Sequence, residues 1–528
     1  MIGKDFPEPL LAAVAELPAD ELKAALAALH RAEFIHEQAI YPVPEYAFKH
    51  PLTQEVALGS QLRERRRQVH AAVARAIEQQ YAEHLDERAA LLAHHWEEAG
   101  EALSAARWHR RAAEWVGRTD FAAAAHHWGR VRALLRELPD DREAAALGIA
   151  TCTQLLNVSW RIGMKLDEAR ALLEEGQTFT NAIGDQRAHL RLSMAYGRAI
   201  LSAGEVVESL GSAFENRRAA LELTDIALQT NAWAVLVDAL GHAARFPEAL
   251  QAAEEGLARF PRRILSEDWI FGFNPYSLLS LWRGVCLSWM GRIPEGLEEL
   301  GRCRRFCEED GTPVLAYFAA AYAAETYHHA HDGDRALASA LQSDEISRRL
   351  GEPPALVAFA QLAFCHAHLA AGRAADAIEP ARAALALYGR VEKELAGVSA
   401  TLLAETLLET GDRLAAQSAA EEAIVLCRRS LRGSYEAIAH GVLARALVRR
   451  DGAAARDAAE AALDSAAALI ERTGAKTLAP ALCEWRAELA AVLRDDAARA
   501  QLLRQAQQGY EEIGAPAHAA RVAKEMRP

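Results

Sequence analysis

The chain has few aromatic residues, 7% of its 528 positions, and over long stretches it is sparse in the β-branched strand formers valine, isoleucine and threonine. These shortages exclude a large β-sheet protein. Basic charge is also short: Asp and Glu number 73 against 59 Lys and Arg, and the net charge of −14 is spread along the chain. A protein that tracks nucleic-acid phosphates needs a basic face, so composition argues against nucleic acid as a partner. No run approaches the roughly 18 uninterrupted apolar residues of a membrane span. The N-terminal stretch, with Asp5, Glu8 and Glu16 around a short apolar patch, lacks the layout of a signal peptide. The seven cysteines are odd in number and mostly isolated in helical text, unlike a secreted disulfide framework, which predicts a reducing, cytoplasmic setting.

Catalytic signatures are missing too. The sequence has no G-x-x-x-x-G-K-[ST] loop to cradle a triphosphate, no G-x-S-x-G elbow and no H-E-x-x-H helix. No catalytic residues, cofactor or metal site are predicted. An enzyme with an atypical site would need a convergent polar cluster that the sequence does not display.

What is abundant is alanine and leucine in helical periodicity. At 528 residues the chain exceeds the size of one compact core, which calls for several domains or a modular array. Gly291, Gly333, Gly372, Gly411 and Gly452 each separate two apolar-periodic segments, at intervals of 42, 39, 39 and 41 residues. A glycine past a helix's last turn can take the left-handed conformation that ends it, so each predicts a helical hairpin. Five residues beyond three of these glycines stand Ala338, Ala377 and Ala416, and Ala249 has the same place after Ala244. Small side chains there let the second helix lie close on the first. In HLAAGRAADAIEPARAALALYG a second close-contact alanine, Ala384, follows with Leu385 beside it. This pattern resembles the tetratricopeptide repeat, with a period longer than the usual 34 or so residues. The last segment reads as a closing helix, a turn at Gly514 to Pro516 and a short polar cap.

The first 80 residues are different. Two short helices lead into extended pieces at Phe34 to Glu37 and Tyr46 to Phe48, and a further helix begins near Pro51. This is a winged-helix order of elements. The expected architecture is therefore all-α: a winged-helix-like module over 1–80, then a tetratricopeptide-like α-α superhelical solenoid over 81–528, its concave face open to a partner.

The text FKHPLTQEVALGSQLRERRRQVHAAVARAIE, followed by ERAALLAHHWEEAGEALSAARWHRRAAEWV, resembles the region after the ATPase module in bacterial class III adenylate/guanylate cyclases. Those proteins are similar to STAND-type signalling ATPases, which carry a nucleotide-binding core, a winged helix and helical repeats in that order. The resemblance is strong over about the first 130 residues and one of pattern afterwards. It implies that His50 of FKHPL matches the winged-helix histidine that touches the phosphate of bound ADP; read on its own, a histidine at a helix start serves local hydrogen bonding. It implies a scaffold and sensor segment that binds protein partners and an unidentified signal, and that regulates an ATPase or cyclase module lying upstream or on another chain. The repeat arrays of LuxR-type transcription regulators look similar, but those end in a helix-turn-helix domain whereas this sequence stops at KEMRP.

Four further groups stand out. Arg63, Arg65, Arg66 and Arg67 form a basic run, either a solvated face or an interface with the nucleotide-binding module. Trp269, Phe271, Phe273 and Tyr276 cluster where Pro261, Gly272 and Pro275 interrupt the helical rhythm, as a loop folded onto the core or as a partner groove. His328, His329 and His331 are one and two residues apart, so on a helix they point in different directions and do not converge on a metal without a break. His94 and His95, with Trp96, Trp108, Trp115 and Trp128, have spacings that suit the core of the first repeat. Cys303 and Cys307, four apart, read as two buried small residues.

Overall fold

The computed structural model describes all residues except 1, 40–42, 118–119, 139–141, 267–268, 352, 389–392 and 527–528. These residues form two compact units, one made of 1–155 with 178–184, the other of 156–177 with 185–528.

The first unit begins with three short antiparallel strands, β1 (Asp5–Pro7), β2 (Ile35–Ala39) and β3 (Glu45–Phe48), in the order β1-β3-β2. The pairing sets Phe6 opposite Tyr46 and Ile35 opposite Phe48. Phe6, Ile35 and Tyr46 bury their side chains with Leu22 and Leu26 of the helix Ala19–Arg31. A helix starts at Pro51, where a ring with fixed φ and no N–H costs nothing in the first turn. The sequence predicts the extended pieces that become β2 and β3 and this helix, but not β1, which is three residues long. The helix Arg63–Gln80 then shares one core with the hairpins after it: Val73 and Ile77 pack with Leu92, Trp96, Ala105, Trp128 and Val131.

The second unit is a run of helical hairpins. Helices such as Ile226–His242, Pro275–Trp289, Pro313–His329, Pro354–Ala370, Ala396–Glu409 and Gly433–Asp451 alternate with partners such as Phe246–Arg259, Ile293–Glu309, Gly333–Arg349, Ala374–Tyr388 and Arg413–Arg429. Gly291, Gly372 and Gly411 stop their helices in the left-handed region, with φ of 82°, 68° and 91°. Aspartates then cap several following helices: Asp412 Oδ1 accepts from the Ala415 N–H at 3.1 Å and Asp495 Oδ1 from the Ala498 N–H at 2.9 Å.

Gly333 does not stop a helix; it is the first residue of Gly333–Arg349. His331 takes the left-handed turn instead, at φ 58°, so the close-contact position falls on buried Ala336 and Ala338 is exposed. The glycine is needed for another reason: a Cβ on Gly333 would lie 2.6 Å from the Ala371 backbone. Elsewhere the small-residue rule holds, with Ala249, Ala377, Ala384 and Ala416 fully buried. Gly296 fills the equivalent place after Gly291, where a Cβ would lie 2.8 Å from the Gly284 carbonyl.

The hairpins coil tightly enough for distant repeats to touch. Thr477 Oγ1 donates to the Ser288 carbonyl at 2.6 Å, and Arg432 hydrogen-bonds His242. The Trp289 and Tyr435 rings meet edge to face at 5.5 Å. The predicted open concave face is thus bridged along part of its length.

Candidate functional site

The sequence-predicted residues do not come together. His50 is exposed at the N-cap of Pro51–Gly59, where its carbonyl accepts from the Thr53 N–H at 3.0 Å and its side chain makes no capping bond. Arg63, Arg65 and Arg67 are exposed on Arg63–Gln80, with no ion-pair partner among the described residues. Arg66 is half-buried with Nη2 3.8 Å from Glu98.

The aromatic segment is a correction to the groove reading. Phe271 and Phe273 are 5% and 8% exposed and pack against each other with tilted rings 5.9 Å apart, leaving a partner almost no surface. Asn274 pins the loop: its Nδ2 donates to the Arg262 carbonyl at 2.8 Å and to Asp310 at 2.9 Å, and its Oδ1 accepts from the Tyr276 N–H. Tyr276 packs on Phe306, and Trp269 is half-buried. The loop folds onto the core because apolar rings between helix breakers have nowhere else to be buried.

The histidines of TYHHAHDGD turn to three different partners, as their spacing requires. His328 Nδ1 lies 2.9 Å from His366 Nδ1, the His329 ring packs on Trp289, and His331 packs on His518. Cys303 and Cys307 are buried with their sulfurs 3.9 Å apart.

The polar centre of the second unit escaped the sequence reading. Along its inner face lies first a constriction and then a chamber. In the constriction Asp238 accepts from Trp282 Nε1 at 2.8 Å, with His242 Nε2 at 3.5 Å and Arg198 Nε at 3.7 Å. Burial raises the Asp238 carboxyl and drives His242 well below its ordinary range, so His242 is neutral and accepts from Arg432. Next to them Tyr435 donates to Glu325, and Tyr435 Oη lies 3.3 Å from His366 Nε2. Burial pushes Glu325 up to about 7 against the lowering effect of that bond.

Beyond this lies a chamber of about 610 Å³, large enough for a peptide segment or a sizeable small molecule. One wall is an ion-pair lattice: Arg445 donates to Glu488 at 3.0 Å and to Glu409 at 2.9 Å, Arg449 to Glu488 at 2.5 Å, and Arg521 to Glu484 at 2.7 Å. Tyr510 also donates to Glu484. Two charged residues stand outside the lattice. Glu405 makes no hydrogen bond or ion pair among the described residues, and burial, aided by Glu409, pushes it up to about 7. Arg499 lines the chamber with no ion-pair partner among the described residues. The signal in the sequence is an acid in otherwise apolar helix text: Asp238 in AVLVDALGH, Glu325 in AYAAETY and Glu405 in TLLAETLL.

Chemically the chamber offers fixed donors and acceptors of both signs in surroundings that strengthen them.

No protein-family model matches the chain, and no curated protein matches it in sequence. Solved structures are similar to it. The crystal structure of a Rap protein complexed with Competence and Sporulation Factor matches 71% of this chain and 100% of that chain, with a TM-score of 0.50 at 13% identity. That of a signal transduction ATPase with numerous domains and a tetratricopeptide repeat sensor, from Pyrococcus horikoshii, covers 86% of this chain and 84% of that chain, with a TM-score of 0.34 at 12% identity. The first likeness, together with the hairpins described above, makes this an all-helical, tetratricopeptide-like repeat fold. Among the described residues no helix is long and apolar enough to cross a membrane.

Proposed function

We propose that the chain is a non-catalytic sensor and scaffold whose second unit holds a peptide or protein segment in the chamber. The observation that carries this reading is the chamber itself: a cavity of about 610 Å³ walled by a rigid ion-pair lattice, with Glu405 and Arg499 left over to take polar groups of a ligand. An extended peptide presents backbone donors and acceptors every few ångströms and suits a surface of alternating sign. The similar Rap protein was crystallised in complex with a factor, which supports a partner-binding use of such a fold.

The residues 1–80 would then be a winged-helix-like module. In this reading it passes the binding event to a nucleotide-binding or cyclase module upstream or on another chain, with His50 and the run Arg63, Arg65, Arg66 and Arg67 facing that module. Exposure of His50, Arg63, Arg65 and Arg67 is compatible with such a contact.

The test is a random peptide library screened against the whole chain and against Arg499→Glu. Expected are binders that compete with one another and lose at least about tenfold in affinity on Arg499→Glu, at unchanged helicity. A library without binders, or binders indifferent to the substitution, would sink the reading.

A further inference from the structure

We propose that His70, His94 and His95 form a binding site in the first unit for a divalent transition metal of the zinc type. Core packing alone accounted for His94 and His95 in the sequence; the third ring, brought by another helix, changes the chemistry. His70 lies on Arg63–Gln80, and His94 and His95 lie on Ala89–Ala99. His70 and His95 are 4% and 1% exposed, whereas His94 is exposed.

The spacing fits an ion. One ring nitrogen from each histidine lies within 4.8 Å of the others, and Nδ1 of His70 is 3.0 Å from Nδ1 of His95. The ring centres are 5.2 Å apart for His70 and His95, 5.4 Å for His94 and His95, and 5.9 Å for His70 and His94. A metal bound at about 2.0–2.1 Å from each nitrogen holds ring centres about 3.2 Å away, hence about 5.2 Å apart at a tetrahedral angle. The buried pair already has that separation. His94, next to His95 on the same helix, points its ring elsewhere on the helix surface but keeps a nitrogen within 4.8 Å of the other two, and its exposure leaves room for the side-chain rotation that closes the set.

The ligand type fits as well, since imidazole ligates as the neutral ring, the form an ordinary histidine mostly takes at neutral pH. An all-nitrogen set favours zinc, nickel or copper over magnesium or calcium, which require oxygen.

The other close histidine pairs differ in what completes them. His109 and His127 also meet through Nδ1 at 2.9 Å, but His109 Nε2 is bound to Glu97 at 2.9 Å and Arg130 pairs with the same carboxylate. His328 and His366 meet at 2.9 Å, with His366 turned to Tyr435 on its other side. Each of those pairs also has a neighbouring histidine, His126 or His329, but among the described residues only His70, His94 and His95 bring three ring nitrogens within 4.8 Å of one another.

The experiment is calorimetric titration of the metal-stripped whole chain with zinc chloride, repeated on His94→Ala and on His127→Ala. Because His94 is exposed, its replacement leaves the fold intact, which circular dichroism checks. Expected are one tight equivalent of zinc in the wild type and in His127→Ala, and a loss of about 10- to 100-fold in affinity in His94→Ala. A zinc-induced rise in melting temperature should disappear with it. Absence of a tight equivalent, zinc affinity unchanged in His94→Ala, or loss of the site in His127→Ala would each overturn the proposal.

Discussion

The constriction and the chamber share one inner face and the same residue types, and burial raises a carboxyl in each, yet they partner those carboxyls differently. In the constriction Asp238 is surrounded by Trp282, His242, Arg198 and Arg432, so a buried carboxylate is held by donors on several sides. In the chamber Glu405 has Glu409 as its unfavourable neighbour and only the weaker pull of Arg445 to offset it. The first arrangement secures the fold; the second leaves polar capacity unused, which is what a binding site needs. A buried charge therefore marks function only when its partners are too few.

Three substitutions sharpen this contrast. Asp238→Ala should cost the most, about 3–5 kcal/mol, because it leaves Arg198 and Arg432 close together without their carboxylate and orphans the Trp282 N–H. The midpoint of urea unfolding measures it, and a loss under about 1 kcal/mol would erase the distinction between the two regions.

Glu405→Gln should do the reverse and stabilise. A carboxyl held near 7 in the folded chain but near 4.5 when unfolded keeps its proton longer in the folded state, so the wild type loses stability as pH rises between those values. Glutamine does not ionise. The gain should be absent at pH 4 and reach about 1–2 kcal/mol at pH 8; a gain independent of pH would show that charge is not its cause.

Arg499→Glu should have the smallest effect on stability, within about 0.5 kcal/mol, since no partner is lost. If thermal melts show a larger drop, Arg499 belongs to the lattice and the chamber has one free polar group fewer.

Much of the architecture was legible because helix ends are local chemistry. Gly291, Gly372 and Gly411 mark turns by themselves, and the alanines five residues on report close helix packing without knowledge of the rest. His331 misled for a local reason too: a histidine in the left-handed region does what glycine usually does, so Gly333 looked like the stop. The strand β1 was invisible because three residues carry no alternation. The chamber was illegible for a different reason. Arg445, Glu488 and Glu409 come from separate hairpins, and Tyr435 reaches Glu325 across 110 residues. Only a superhelical pitch, which no single repeat encodes, brings them together.

The contacts that bridge the inner face also bear on how the second unit folds. In a simple repeat array each hairpin touches only its neighbours, and the array can melt or grow from an end, one hairpin at a time. Here the bonds from Thr477 to Ser288 and from Arg432 to His242 span 189 and 190 residues, so early and late hairpins stabilise each other. Fraying from the C-terminal side strips partners from helices near the start of the unit. Unfolding should therefore be concerted across these repeats, and refolding should wait on closure of a loop of nearly two hundred residues, the slow step that ordinary solenoids avoid.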